Sequence, residues 1–251
     1  MSQRESKAAA AYVRVPMPEP STPWREAEYT VVDLELTGLD PSVHEIISFA
    51  AVTVVEGKVR VGDSVYRLVR PRRFPDADTI RIHGLRESDL EDAPVLDEVM
   101  DELLTSLTGR VLVAHVAAVE VGFLRPALEA QGLTLGNPVV DTAALGAELG
   151  RLTAKRSLGP GRNGGARFAV SSPGLSDLAR ALGLPVHRPH HADGDALTTA
   201  QVFIALATLL EPFGLQTLRS LQRIDYLAPE RGIRAGVRRL GSRLRGRAQL
   251  L

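Results

Sequence analysis

Three strand signals crowd between Tyr29 and Val69, and they restrict this chain to folds built on an antiparallel ribbon. Tyr29–Leu36, Glu45–Val55 and Lys58–Val69 are rich in β-branched residues, and the last two join at Glu56-Gly57, a tight hairpin connection. The pattern then changes period. Leu96 to Leu107 carries apolar residues at 96, 99, 100, 103, 104 and 107, the stripe of a helix. Val111–Ala114 reads as a short buried strand before a helix at Ala117–Gln131, and Pro138–Asp141 as another strand running into a helix at Thr142–Leu149. Further helices are predicted at Leu175–Leu182 and Ala192–Leu210. Three antiparallel strands followed by β-α-β-α units predict an α/β fold, a mixed five-stranded sheet flanked by helices on both faces.

The flanks read differently. Residues 1–28, rich in Ala, Pro, Glu and Arg, are expected to be a loosely ordered lead-in to a domain at 29–212. Arg151 to Gly174 is rich in Gly, Ser and Arg and has no periodicity, so it reads as a loop. Its Arg151, Lys155, Arg156, Arg162 and Arg167 suit a phosphate backbone and suit plain solvation equally well. Formal net charge is zero, yet residues 213–251 hold nine arginines against Asp225 and Glu230. This basic tail is expected to be solvated, or to touch nucleic acid or another acidic surface. The absence of cysteine excludes disulfides and thiolate-bound metals and makes a reducing cytosol the simplest home. No run is expected to cross a membrane.

The chemistry starts in the first strand, at Asp33-Leu34-Glu35-Leu36-Thr37-Gly38. Side chains two apart on a strand share a face, so Asp33 and Glu35 point together. Two carboxylates that close repel unless a proton or cation lies between them, and hard cations such as Mg²⁺ or Mn²⁺ favour oxygen donors. Read alone, the pair is equally well the polar side of a half-buried strand. A second block, Pro189-His190-His191-Ala192-Asp193-Gly194-Asp195-Ala196, sets a histidine before a helix and acids in its first turn. Helix capping accounts for Asp193. It does not account for His190 five residues before Asp195.

Together these blocks resemble the DEDDh family of 3′→5′ exonucleases, which includes polymerase proofreading subunits and oligoribonucleases. The family's first motif, Asp-x-Glu followed by Thr-Gly, matches residues 33–38, and its third, a His with an Asp five residues later, matches His190 and Asp195. Ile82-His83-Gly84-Leu85 resembles the family's His-Gly segment beside the terminal nucleotide. The middle motif departs from the family. In Ala114-His115-Val116-Ala117-Ala118-Val119-Glu120-Val121-Gly122-Phe123-Leu124 the frame is kept, but Val116 replaces Asn, Val119 replaces Phe and Glu120 replaces Asp.

The resemblance implies an RNase H-like fold and a hydrolase in which Asp33, Glu35, Glu120 and Asp195 hold two divalent cations, Mg²⁺ or Mn²⁺. His190 would accept the proton of the attacking water, and Thr37, Gly38, Leu39 and His83 would contact the terminal nucleotide. The partner is then a DNA or RNA 3′ end, single-stranded or frayed, and the product a nucleoside 5′-monophosphate. No polymerase-binding or clamp-binding segment is recognisable, so a replication or repair partner stays unnamed. The alternative is a nuclease-derived module that binds nucleic acid with weak or lost turnover, as the changes at 116 and 120 suggest. An aromatic content of 4% argues against a broad stacking platform.

Overall fold

The computed structural model describes residues 6–157 and 174–224. Strands β1 (Tyr29–Leu36), β2 (Ile46–Val55), β3 (Lys58–Leu68), β4 (Val111–Ala114) and β5 (Val139–Asp141) form one sheet in the order β3-β2-β1-β4-β5. The first three pair antiparallel, β4 lies parallel to β1, and β5 lies parallel to β4. This is the mixed sheet that the strand signals predict. Glu56 and Gly57 turn the hairpin with φ of 53° and 68°, the left-handed pair that suits a two-residue connection.

The helices are α1 (Lys7–Arg14), α2 (Ala77–His83), α3 (Glu87–Leu90), α4 (Leu96–Leu107), α5 (Ala118–Glu129), α6 (Thr142–Ser157), α7 (Leu175–Ala181), α8 (Ala192–Leu210) and α9 (Leu218–Gln222). Alternation along β1 divides the core in two. Val32, Leu34 and Leu36 pack with α4 and α5, whereas Tyr29 and Val31 pack with α6, α7 and α8. On the α8 side the next positions are Asp33 and Glu35, so an apolar face becomes acidic at the strand's C-terminal end. Buried Ala192, Ala196 and Ala200 let α8 lie close to the sheet there. Further along, Phe203 packs on Tyr29 with ring centroids 4.6 Å apart.

By length and composition, Ala192–Phe213 is apolar enough to cross a membrane, contrary to the expectation that no run approaches this. In the fold it is a core helix, with Val202, Phe203, Leu206, Ala207 and Leu210 fully buried.

The lead-in is not loose over its described residues. Ser6 Oγ caps α1 by accepting from Ala9 N–H at 3.2 Å, and the buried Tyr12 donates its hydroxyl to Asn137 Oδ1 at 2.7 Å. Trp24 is 1% exposed, and its indole N–H donates to Glu211 Oε1 at 2.8 Å. Pro23 forms a β-bridge with Thr217, and Leu218 and Leu221 of α9 enter the core. Composition averages hide two aromatic anchors in an Ala/Pro/Glu/Arg-rich segment. Helix α6 also continues past the predicted Leu149 to Ser157, with Thr153 Oγ1 donating back to Leu149 O at 2.8 Å. The rest of the Gly/Ser/Arg-rich stretch, and the tail beyond Ile224, lie outside the described residues.

Candidate active site

Three of the expected acids converge. Asp33 and Glu35 descend from β1, Asp195 comes from the first turn of α8, and one oxygen of each lies within 4.8 Å of the others. Asp195 is fixed locally, since its N–H donates to His191 O and its Oδ2 accepts the N–H of His190, both at 2.9 Å.

Glu120 stands outside this trio but beside it. It is 5% exposed in the first turn of α5, and its Oε2 is buried with no hydrogen-bond partner among the described residues. Its position depends on the turn before it, where Val116 adopts φ of 64° and its N–H donates to Asp141 Oδ1 at 3.0 Å. Asp141 Oδ1 also accepts from Ala143 N–H at 2.8 Å, so the end of β5 braces the start of α5. Asp141 was not among the residues expected from sequence; an acid where a strand meets a helix reads simply as a cap. His115 sits in the same corner with Nδ1 3.0 Å from Thr142 Oγ1. That hydroxyl donates to Ala114 O at 3.2 Å, so the histidine Nδ1 is the donor to it.

Burial and mutual repulsion dominate the electrostatics. Burial, then the charges of Glu35, Glu120 and Asp195, push Asp33 well above the carboxylate range. Burial and then Asp195 raise Glu35 to about 8. Burial raises Glu120, with Asp141 and Glu35 adding to it against its own backbone N–H. Asp195 also rises through burial, opposed by the N–H and charge of His190. Acids so placed must hold protons or share a cation. The all-oxygen donor set and the orphaned Glu120 oxygen fit a hard divalent cation.

The remaining expected residues fall at the turn before α8, at the end of β1 and at the end of α2. His190 is exposed, with φ of 62°. Thr37 closes the end of β1, donating its N–H to Glu45 O at 2.9 Å and accepting Glu45 N–H on Oγ1 at 3.0 Å. The His44 ring covers Gly38 so closely that a Cβ there would lie 2.5 Å from it. Leu39 is half-buried and packs on the α4 side of the sheet. Helix α2 approaches the end of β1 through Thr79 Oγ1, 3.5 Å from Thr37 O. At its C-terminus His83 is buried, accepts Leu85 N–H on Nδ1 at 3.0 Å, and is pushed down to about 4 by burial. It is therefore neutral with its proton on Nε2, a donor with no partner among the described residues.

The sequence model of the RNase T family, described as exonuclease, matches residues 30–203. The chain belongs to this exonuclease family. Relatives include a PolC-type DNA polymerase III of Thermotoga petrophila, 31% identical over 210 residues, which are 82% of this chain and 14% of that protein. A DNA polymerase III subunit epsilon-like protein of Rhodobacter capsulatus is 33% identical over 199 residues, 78% of this chain and 26% of the relative. The chain thus spans a minor part of the curated relatives it matches. Among solved structures, Exonuclease X in complex with 5′ overhanging duplex DNA aligns with a TM-score of 0.54 and 23% identity, over 78% of this chain and 98% of that one. E. coli Exonuclease I in complex with a dT13 oligonucleotide aligns with a TM-score of 0.59 and 15% identity, over 75% and 42%. At these identities the two structures establish the fold alone, an RNase H-like exonuclease fold. Within the exonuclease family frame, the acid cluster occupies the C-terminal end of the sheet's central strand.

Proposed function

We propose that this exonuclease-family protein removes nucleoside 5′-monophosphates from the 3′ end of single-stranded or frayed nucleic acid. The observation that carries the reading is the convergence of Asp33, Glu35 and Asp195 within 4.8 Å, with His190 attached to Asp195. Asp33, Glu35, Glu120 and Asp195 would hold two divalent cations, Mg²⁺ or Mn²⁺, which when bound supply a nucleophile at neutral pH and charge stabilisation for the phosphate. His190, exposed at the rim, accepts a proton from the attacking water. His83 would contact the terminal nucleotide as a neutral imidazole. Thr37 and Gly38 bring backbone to the same end of β1, and Leu39 offers an apolar edge to a base.

The position of Glu120 outside the trio favours a second reading, a binding module with weak or lost turnover. One assay separates the two. A 5′-labelled single strand is incubated with Mn²⁺ or Mg²⁺ and with wild type, Asp33→Ala or His190→Ala protein. The enzyme predicts a cation-dependent ladder receding from the 3′ end, abolished in both variants. Retained oligonucleotide binding without a ladder from wild type would establish the binding module instead.

A further inference from the structure

The turn at residues 187–191 holds a shape its own residues disfavour. Arg188 and His190, either side of Pro189, have φ of 28° and 62°, in the region L-residues avoid. The turn also lies unusually close to α8: a Cβ on Gly194 would sit 2.4 Å from His187 O and 2.7 Å from Arg188 O. A shape of this kind persists only where its surroundings over-determine it.

Three side chains provide that constraint. Arg188 Nη1 donates to Asp193 Oδ2 at 2.8 Å, Arg188 Nη2 lies 3.0 Å from His191 Nε2, and His191 Nδ1 lies 2.7 Å from Asp193 Oδ1. A guanidinium can only donate. His191 Nε2 is therefore the acceptor, and its proton resides on Nδ1, facing Asp193. The ring of bonds spans the turn on either side of His190 and engages both nitrogens of His191. The His191 imidazole rests on Tyr66, with centroids 5.3 Å apart and planes inclined by 38°. Tyr66 pairs in register with Ala50, which pairs with Asp33, so the ring is referenced to the strand that bears the acids.

We propose that Arg188, His191 and Asp193 are positioning residues whose closed ring, seated on Tyr66, holds the 187–191 turn so that His190 stands beside Asp195. The proposal rests on reading His190 as the proton acceptor. The Arg188 and Asp193 side chains are 64% and 37% exposed, and an ion pair this open adds little to stability. The value of the ring is geometric, so breaking it should spare the fold and slow the chemistry.

The test compares wild type with Arg188→Ala and Arg188→Lys. In cation-free protein, assigned long-range ¹H–¹⁵N spectra of the histidine rings should show the His191 ring of wild type protonated on Nδ1 alone. Arg188→Ala should lose that signature and exchange the His190 amide faster, with the melting midpoint unchanged. On labelled oligonucleotide with Mn²⁺, kcat should fall about 10²-fold at constant KM, the scale of loss for a misplaced catalytic group. Added guanidinium ion should restore part of kcat to Arg188→Ala, and Arg188→Lys should not recover, since an ammonium cannot span both acceptors. A raised KM with intact kcat would mean that Arg188 contacts phosphate directly, and would overturn the proposal. So would a wild-type His191 without the Nδ1 tautomer. Wild type lacking turnover would sink the exonuclease reading alone; the ring would then stand or fall on the His190 amide exchange.

Discussion

Val116 gives its N–H to Asp141 Oδ1 at 3.0 Å while holding φ of 64°, a left-handed conformation that a β-branched residue rarely adopts. The bond ties the end of β5 to the turn that launches α5, and with it the Glu120 carboxyl. Asn would take this conformation more readily, because its short polar side chain can bond to the local backbone.

Val116→Asn should therefore stabilise the protein. Relief of left-handed strain is worth about 1 kcal/mol, and for a domain of this size that is a rise of about 2–4 °C in melting midpoint. Turnover should be unchanged or higher, because the Asp141 contact is made by backbone and survives the substitution. Thermal denaturation followed by circular dichroism checks it; a lower midpoint would show that the valine side chain contributes more through packing than it costs in strain.

Stability should depend on pH in a direction set by the acid cluster. Without cations, the unfolded chain releases the Glu35 proton near 4.5, whereas burial and the neighbouring Asp195 make the folded chain keep it up to about 8. Raising pH through that window favours the unfolded state. The contribution is full below about 4.5, declines as pH rises and is gone above about 8; Asp33, Glu120 and Asp195, shifted the same way, add to the decline. Melting midpoints in EDTA should fall between about pH 5 and 8, and Mn²⁺ should restore most where the loss is greatest. Glu120→Gln removes one buried charge, so it should flatten the decline and reduce the gain from Mn²⁺. A flat profile in EDTA would show that the acids do not repel one another as their placement requires.

Trp24→Ala tests whether the lead-in belongs to the fold. The indole is buried, packs edge-on against Phe203 with centroids 5.9 Å apart and donates to Glu211. Truncating such a ring costs about 3–5 kcal/mol, which calorimetry should record as a drop of about 10 °C. A shift under about 2 °C would show that residues before β1 are dispensable.

Much of this architecture was legible because periodicity reports which face of an element is buried. The limits of β1, α4, β4 and α8 follow from alternating or helical apolar spacing, and Asp33 and Glu35 share a face for the same reason. Where composition stood in for periodicity, reading failed. Tyr12 and Trp24 lie alone among small and charged residues, so nothing local signals that Asn137 and Glu211 await them from far along the chain. Helix α6 outruns the limit its spacing suggests, with Leu152 packed against the core and Thr153 Oγ1 bonded back to Leu149 O. In the site, residue identity exposed the acids and His190, whereas Asp141 and the left-handed Val116 are consequences of backbone geometry that no spacing encodes.

The bridge between Pro23 and Thr217 has a mechanical consequence. The strand that bears Asp33 and Glu35 lies between two chain passages that are clasped to each other. Tension applied across those passages loads the clasp, together with Trp24 and α9, before it reaches β1. A pull on either passage is thus met first by this bridge and the Trp24 indole, outside the strand that carries the acids.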